Sequence, residues 1–277
     1  MRKIIIYSLF IIGLLIFSYP IISDLLSTRE HHTVISEHNK ALAKMTEEAK
    51  EKEKEKAKEY NESLKQEPIL VEDPFADDQS VKPNKSYHSV LDIGETIGSI
   101  EIPRIKVNLP IFHGVGEDVL QRGVGHMSNS SFPVGGEGSH TALTAHRGLP
   151  SAKLFRDLDK IKEKDIFLVK TLDETLAYKV DDVKIVLPTN TEWLEMKENK
   201  DYVTLITCDP YMINTHRLLV RGERVPYKPE EDNIIPEPEK DYKVIIALII
   251  ASMLIIIILL RYFYKKKAVK SDYYEEK

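Results

Sequence analysis

The chain has 277 residues, a formal net charge of −5 and a single cysteine. One cysteine excludes an internal disulfide and a cysteine-rich zinc site. No basic patch with interleaved aromatic residues is present, so nucleic acid is not predicted as a partner. No acidic cluster indicates a metal site, and no cofactor is predicted.

An uncharged apolar run begins the chain. It extends from Ile4 to Ile22 and follows Arg2 and Lys3. As a helix it would be about 28 Å long, which nearly matches a bilayer core. The apolar region of a signal peptide is the alternative, but no small-x-small cleavage signal follows the run. The run therefore predicts a membrane anchor.

The segment Ser36–Lys65 is dense in Glu, Lys and Ala, and its i,i+3 and i,i+4 charge pairs predict a solvated helix. Residues 66–78 contain prolines and predict a loop. From Tyr87 to about Pro226, short alternating runs are punctuated by Gly and Pro, which indicates a closed barrel or a sandwich. The predicted strands are Ile97–Ile102, Thr141–His146, Ile166–Thr171, Thr175–Leu187, Tyr202–Cys208 and Arg217–Arg224, with short helices at Glu117–Arg122, Ala152–Leu158 and Thr191–Lys197.

A second uncharged run, Val244–Leu260, is flanked by aromatic residues and followed by a basic cluster. Positive charge tends to stay in the cytoplasm, and both chain ends carry it. These features predict two membrane spans, with residues 23–243 outside the cell in an oxidising location.

The cysteine, Cys208, ends a predicted strand, where Asp209-Pro210 stops the ladder. It is a buried inert thiol, an intermolecular partner or a nucleophile. Arg217 begins the next strand, and a hairpin would place its guanidinium beside the thiol, where it favours the thiolate and can stabilise an oxyanion. His146 ends another predicted strand, as a Cys–His site requires. On spacing alone, a structural cysteine and a structural histidine stay open.

Three motifs in this region resemble one enzyme family. The run Thr204-Leu-Ile-Thr-Cys208 resembles the TLxTC signature of sortases, the cysteine transpeptidases of Gram-positive surfaces. The segment from Leu143 to Gly148 resembles the family's histidine segment, and the downstream arginine lies at the family's arginine position. The resemblance covers roughly residues 90–225 and implies a mainly β fold, a closed sortase-type barrel with short helices. The implied catalytic residues are Cys208, His146 and Arg217, with Thr204 and Thr207 as substrate-binding residues.

Two further features resemble the pilus-assembling class C sortases. One is the second membrane span, and the other is Asp73-Pro74-Phe75 in the loop before the barrel. In class C, a D-P-aromatic motif forms a lid over the active site. The resemblance implies that Asp73 pairs with Arg217 and that the Phe75 ring covers Cys208. Without the resemblance, the tripeptide predicts only a turn.

The resemblance implies a membrane-anchored transpeptidase. It would cleave an LPxTG-like sorting signal of pilin subunits through a thioester and join them to a lysine amine of another pilin. A sortase that anchors proteins to peptidoglycan and a non-catalytic membrane-tethered scaffold are the alternatives. The predicted organisation is a cytoplasmic tip with the first span (1–23), an external helical segment with the lid loop (24–86), the catalytic barrel (87–226), a Pro/Glu-rich linker (227–243), the second span (244–264) and a basic cytoplasmic tail (265–277).

Overall fold

A computed structural model of the chain describes residues 2–65, 72–76 and 86–227. The first helix, α1 (Arg2–Leu42), contains the N-terminal apolar run. Within the described ranges, one helix is long and apolar enough to cross a membrane, with a mean hydropathy of 2.1 over an 18-residue window that is not buried against the protein. This helix is compatible with a membrane anchor. The predicted second span, Val244–Leu260, lies outside the described residues.

The charged segment forms two elements where the sequence predicted one helix. The first helix α1 ends at Leu42, and α2 (Glu47–Leu64) begins after a short turn. Thr46 caps α2, because its side-chain oxygen accepts a hydrogen bond from the backbone N–H of Ala49 at 3.2 Å. Glu47 and Glu48 follow in the first turn, where negative charge favours the helix dipole. A cap and an acidic first turn therefore interrupt a segment whose composition is helical throughout.

One face of α2 packs on the barrel, so the helix is not solvated all round as predicted. Ala57, Tyr60 and Asn61 are buried. The amide of Asn61 donates to the carbonyl of Phe132 at 3.1 Å and accepts from the N–H of the same residue at 2.7 Å. A buried amide that exchanges two bonds with one backbone unit fixes the position of the helix on the barrel.

Eight strands close into a barrel in the order β1-β2-β3-β4-β7-β8-β6-β5. The pairs β2–β3 and β4–β7 are parallel, and the other neighbours are antiparallel. Of the two predicted architectures, the barrel is the correct one. The strands are β1 (Gly98–Ile102), β2 (Val107–His113), β3 (Val124–His126), β4 (Ser139–Thr144), β5 (Ile166–Thr171), β6 (Glu174–Val186), β7 (Asp201–Asp209) and β8 (His216–Val225).

All six predicted strands are present, but β2 and β3 were not predicted. Pro110 lies inside β2, and Gly125 is the middle residue of the three-residue β3. Both residue types argue against a strand when only the sequence is read. The predicted helix at Glu117–Arg122 is α3 (Glu117–Leu120), and the other two reduce to 3-10 turns at Leu158–Lys160 and Glu192–Leu194.

The alternation along β7 separates the inside of the barrel from an outer face. Val203 and Leu205 belong to the main core, together with Val220 of β8. Ile206 and Leu219 belong to a smaller apolar cluster. Successive strand residues point to opposite faces, so Cys208 shares the face of Ile206. The candidate nucleophile therefore lies on the outer face of the barrel and not in its main core.

Candidate active site

The hairpin of β7 and β8 brings Cys208 and Arg217 together. The two residues are direct cross-strand partners, one pair before the end of the ladder at Asp209 and His216. Directly opposite residues in an antiparallel pair have Cβ atoms about 4.5–5.5 Å apart. Cys208 is a free thiol and is 5% exposed. The predicted placement of the arginine beside the thiol is confirmed by this register.

His146 lies just beyond β4, which ends at Thr144 and not at the histidine as predicted. The strand β4 runs parallel to β7, and its last pair joins Thr144 to Ile206. The N–H of Ala145 donates to the carbonyl of Ile206 at 3.1 Å and carries the chain one residue farther beside β7. The histidine thus leaves the barrel at the end of the sheet that also carries Cys208.

The Nε2 atom of His146 is 3.1 Å from Oε2 of Glu117 in α3. Within the part of the chain that the structure describes, no hydrogen bond joins His146 to the thiol. The pKa of Glu117 is lowered, chiefly by the hydrogen bond from Gln121 and further by the nearby imidazole. The contact with Glu117 therefore holds the imidazole ring from the side of α3.

The Asp73-Pro74-Phe75 segment lies over these residues. The guanidinium of Arg217 donates two hydrogen bonds to the carboxylate of Asp73, from Nε at 2.7 Å and from Nη2 at 2.6 Å. The Phe75 ring is 5.5 Å from the ring of His146, and its centroid is 5.1 Å from Cζ of Arg217. The same ring packs against the apolar cluster that contains Ile206. The segment therefore occupies the outer face beside the thiol.

A sortase-domain family model matches residues 100–225, the range that contains all three candidate catalytic residues. The structure is similar to that of sortase C from Streptococcus pneumoniae, with a TM-score of 0.65 and 44% sequence identity over 70% of this chain and 97% of that chain. The chain belongs to the sortase family of cysteine transpeptidases.

Sortase C1 of Streptococcus agalactiae is equally similar, with 44% identity, a TM-score of 0.65 and the same two coverages, 70% and 97%. Sortase D of Bacillus subtilis is 30% identical over 137 residues, which are 48% of this chain and 66% of that protein's length. The resemblance to class C sortases is confirmed, because both of these solved structures are of C sortases. The predicted sortase-type barrel is confirmed by the same comparison.

Burial is the main influence on the thiol of this sortase. It raises the pKa of Cys208 to about 11, and the Asp73 carboxylate acts in the same direction. Arg217 and Arg147 lower the pKa, but by less than burial raises it. With the Asp-Pro-Phe segment in place, the thiol is therefore neutral at physiological pH. A neutral thiol is a poor nucleophile, because the thiolate is the reactive form.

The two threonines predicted to bind substrate both use their hydroxyls inside the protein. Thr207 donates to the carbonyl of Ala145 at 2.7 Å. Thr204 is 2.7 Å from Nε2 of His140, a buried ring whose other nitrogen faces the carbonyl of Glu195. Both hydroxyls are nearly inaccessible to solvent. Their clear role in this structure is to join β7 to β4 and the residue after it, and a contact to substrate would require one of these bonds to be exchanged.

Three residues of the site were not singled out from the sequence: Glu117, Arg147 and Asp209. Arg147 pairs with Asp209 and with Asp159. Arg147 directly follows the histidine and Asp209 directly follows the cysteine, so position in the sequence was an available signal. For Asp209, the sequence predicts only that a strand stops there. Among the described residues, no group of three His, Cys, Asp or Glu side chains is arranged to hold a metal ion.

Proposed function

We propose that this sortase joins pilin subunits through a thioester on Cys208. The observation that carries the proposal is the cross-strand pair of Cys208 and Arg217. The carboxylate of Asp73 covers this pair and accepts two hydrogen bonds from Arg217, an arrangement called the Asp73 fork below. Similarity to sortase C of Streptococcus pneumoniae, a protein described in terms of pilin substrate specificity, and to sortase C1 of the group B streptococcal pilus island 1 supports the substrate class.

In the first half-reaction, Sγ of Cys208 attacks the carbonyl carbon of the threonine in an LPxTG-like sorting signal. Arg217 is the donor beside the thiol, so once released from Asp73 it can stabilise the oxyanion that forms on the attacked carbonyl. His146 takes up the proton that the thiol loses on attack and supplies a proton to the departing amine, which needs one to leave. The threonine–glycine bond breaks, and a thioester acyl-enzyme remains.

In the second half-reaction, a lysine amine of another pilin attacks the thioester carbonyl. The C–S bond breaks, the thiol is regenerated and an isopeptide bond joins the two subunits. Water is a competing nucleophile at this stage, and its attack would release the subunit without joining it. A movable cover over the thiol suits a reaction that must admit an amine and exclude water.

A competition between acceptor amines tests this function. The full chain, carrying Asp73→Ala to free the arginine, is incubated with an LPxTG peptide, a lysine-containing peptide and triglycine at equal concentrations. We expect the mass of the lysine isopeptide product, and a thioester adduct on the protein when the acceptors are left out. Preferential transfer to triglycine would favour wall anchoring. No adduct and no product would refute the transpeptidase, leaving the non-catalytic scaffold.

The two-pass topology is a further part of the proposal. The helix α1 supports the first span, and the basic residues from Arg261 to Lys270 support a cytoplasmic C-terminus. Alkaline phosphatase, which is active only outside the cytoplasm, can be fused after Lys277 or inserted after Pro229. We expect phosphatase activity when the enzyme is inserted after Pro229 and none when it is fused after Lys277. Activity at both positions would rule out a second span.

A further inference from the structure

The ladder between β4 and β7 stops before it reaches the catalytic residues. Its last pair is Thr144 with Ile206. His146 and Cys208 each lie two residues beyond that pair, on adjacent parallel segments. Regular pairing of β4 therefore does not set the separation between imidazole and thiol. One further backbone bond joins Ala145 to Ile206, and the contacts beyond it must set this separation.

Two side-chain links take over where the ladder ends, one on each side of the catalytic pair. The residues before His146 and Cys208 are joined by the bond from the Thr207 hydroxyl to the Ala145 carbonyl, at 2.7 Å. The residues after them are joined by the ion pair of Arg147 with Asp209. The catalytic histidine and cysteine are thus enclosed between two matched links.

The guanidinium of Arg147 is held from three sides. Its Nη1 donates to Asp209, its Nη2 lies 2.9 Å from Asp159, and its Nε donates to the carbonyl of Arg156 at 3.2 Å. The Arg147 side chain is 7% exposed and that of Asp209 is 17% exposed, whereas Asp159 is 47% exposed. Charge-assisted bonds are strong and directional, and low exposure reduces screening by solvent. The Asp209 link is therefore the more rigid of the two carboxylate contacts.

We infer that Arg147 and Asp209 are a positioning pair that holds the imidazole of His146 and the thiol of Cys208 at their working separation. The inference rests on the proposed function only in assigning that work to Cys208 and His146. Neither member of the pair reacts with substrate. Each acts through the catalytic residue that precedes it, and a displacement of about 1 Å at such a site can cost about a hundredfold in rate.

The kinetic test compares two variants that each remove one carboxylate from the same guanidinium. In the Asp73→Ala chain, Asp209→Asn is expected to lower kcat for the LPxTG peptide by about 10- to 100-fold while KM stays within about threefold. Asp159→Asn is the matched control and should change kcat by less than about threefold. Asp209→Glu, which keeps the charge, should recover part of the loss. The double variant Asp209→Asn with Arg147→Gln should lose no more kcat than the more damaged single variant, because both substitutions break the same ion pair.

A second measurement reports the separation without any substrate. The chain has one cysteine, so His146→Cys introduces a single new partner for Cys208. Disulfide formation in glutathione buffers then gives the effective concentration of one thiol near the other. Adding Asp209→Asn to this variant should lower that concentration at least about tenfold, because the two segments are free to move apart. Adding Asp159→Asn should leave it within about twofold.

The two measurements distinguish a failure of the positioning pair from a failure of the proposed function. An effective concentration unchanged by Asp209→Asn overturns the positioning pair, as does a kcat unchanged within about threefold in a protein that turns over the peptide. If the protein transfers no peptide at all but the effective concentration still falls, the proposed function fails and the positioning pair stands. Melting temperatures identify a variant that has lost its fold, and Arg147→Gln, which breaks the same ion pair from its other side, then replaces Asp209→Asn.

Discussion

Cys208→Ala is expected to abolish the thioester adduct and to lower turnover of an LPxTG peptide by at least about 10⁴-fold, because no other cysteine is present to take its place. Arg217→Ala is expected to lose about 10²- to 10³-fold in kcat, which is typical of removing one donor to an oxyanion. The thiol remains in the Arg217 variant, so its adduct should still form, only slowly. Steady-state rates and intact mass measure the two effects separately.

The chain offers a matched control for the arginine. Arg221 lies on the same face of β8, four residues farther along, and also forms a fork with an aspartate, Asp181. Arg221→Ala removes the same charge and a similar ion pair at a distance from the thiol. It should change kcat by less than about threefold. Equal losses in the two variants would mean that Arg217 acts through general stability or net charge and not through the oxyanion.

The β7–β8 hairpin was predictable because two local rules agree. Alternating apolar residues specify each strand and its faces, and Asp209-Pro210 stops the first strand where a turn must follow. A hairpin then places the start of the second strand beside the end of the first. The pairing of Cys208 with Arg217 follows from connectivity alone, and the structure confirms it.

The rest of the site depends on contacts that sequence order does not encode. His146 reaches the thiol's end of the barrel through the parallel pairing of β4 with β7, whose strands are separated by β5 and β6 along the chain. Glu117 reaches the histidine from α3, which follows the unpredicted strand β2. Non-local contacts of this kind are set by closure of the whole barrel. Only resemblance to a family could supply them in advance.

The position of the lid segment shows the same limit. Its sequence by itself indicates a turn, and the fork to Arg217 spans 144 positions of the chain. The fork also affects both the guanidinium of Arg217 and the thiol of Cys208. While Arg217 is bonded to Asp73, it is not free to receive an oxyanion, and the thiol beneath is neutral. We therefore propose that the Asp73-Pro74-Phe75 segment acts as a lid, and that closing it disables the nucleophile and its stabilising donor together.

Asp73→Ala is expected to raise the rate at which Cys208 reacts with a small thiol reagent at pH 7.5 by about 10- to 100-fold. The side chains of Arg217 and Asp73 are only 10% and 15% exposed. Losing a charge-assisted pair of this kind changes the free-energy difference between the closed and open lid by roughly 2 kcal/mol, or about 30-fold in their ratio. Opening also exposes the thiol to water and removes a nearby carboxylate, so its pKa falls from about 11 towards the usual value of 9.0.

The pH dependence distinguishes this explanation from simple unblocking. A fall of two pKa units gives about 100 times more thiolate at pH 7.5, reduced to about tenfold in rate because a less basic thiolate is less nucleophilic. The labelling rate of the unaltered chain should keep rising through about pH 10, since its thiol titrates near 11. The labelling rate of the Asp73→Ala chain should level off one to two pH units lower.

Asp181→Ala, which breaks the comparable fork to Arg221, is the control and should leave both the labelling rate and its pH profile unchanged. A faster rate with an unshifted profile would show that the segment blocks access but does not suppress ionisation, and an unchanged rate would exclude it as a lid.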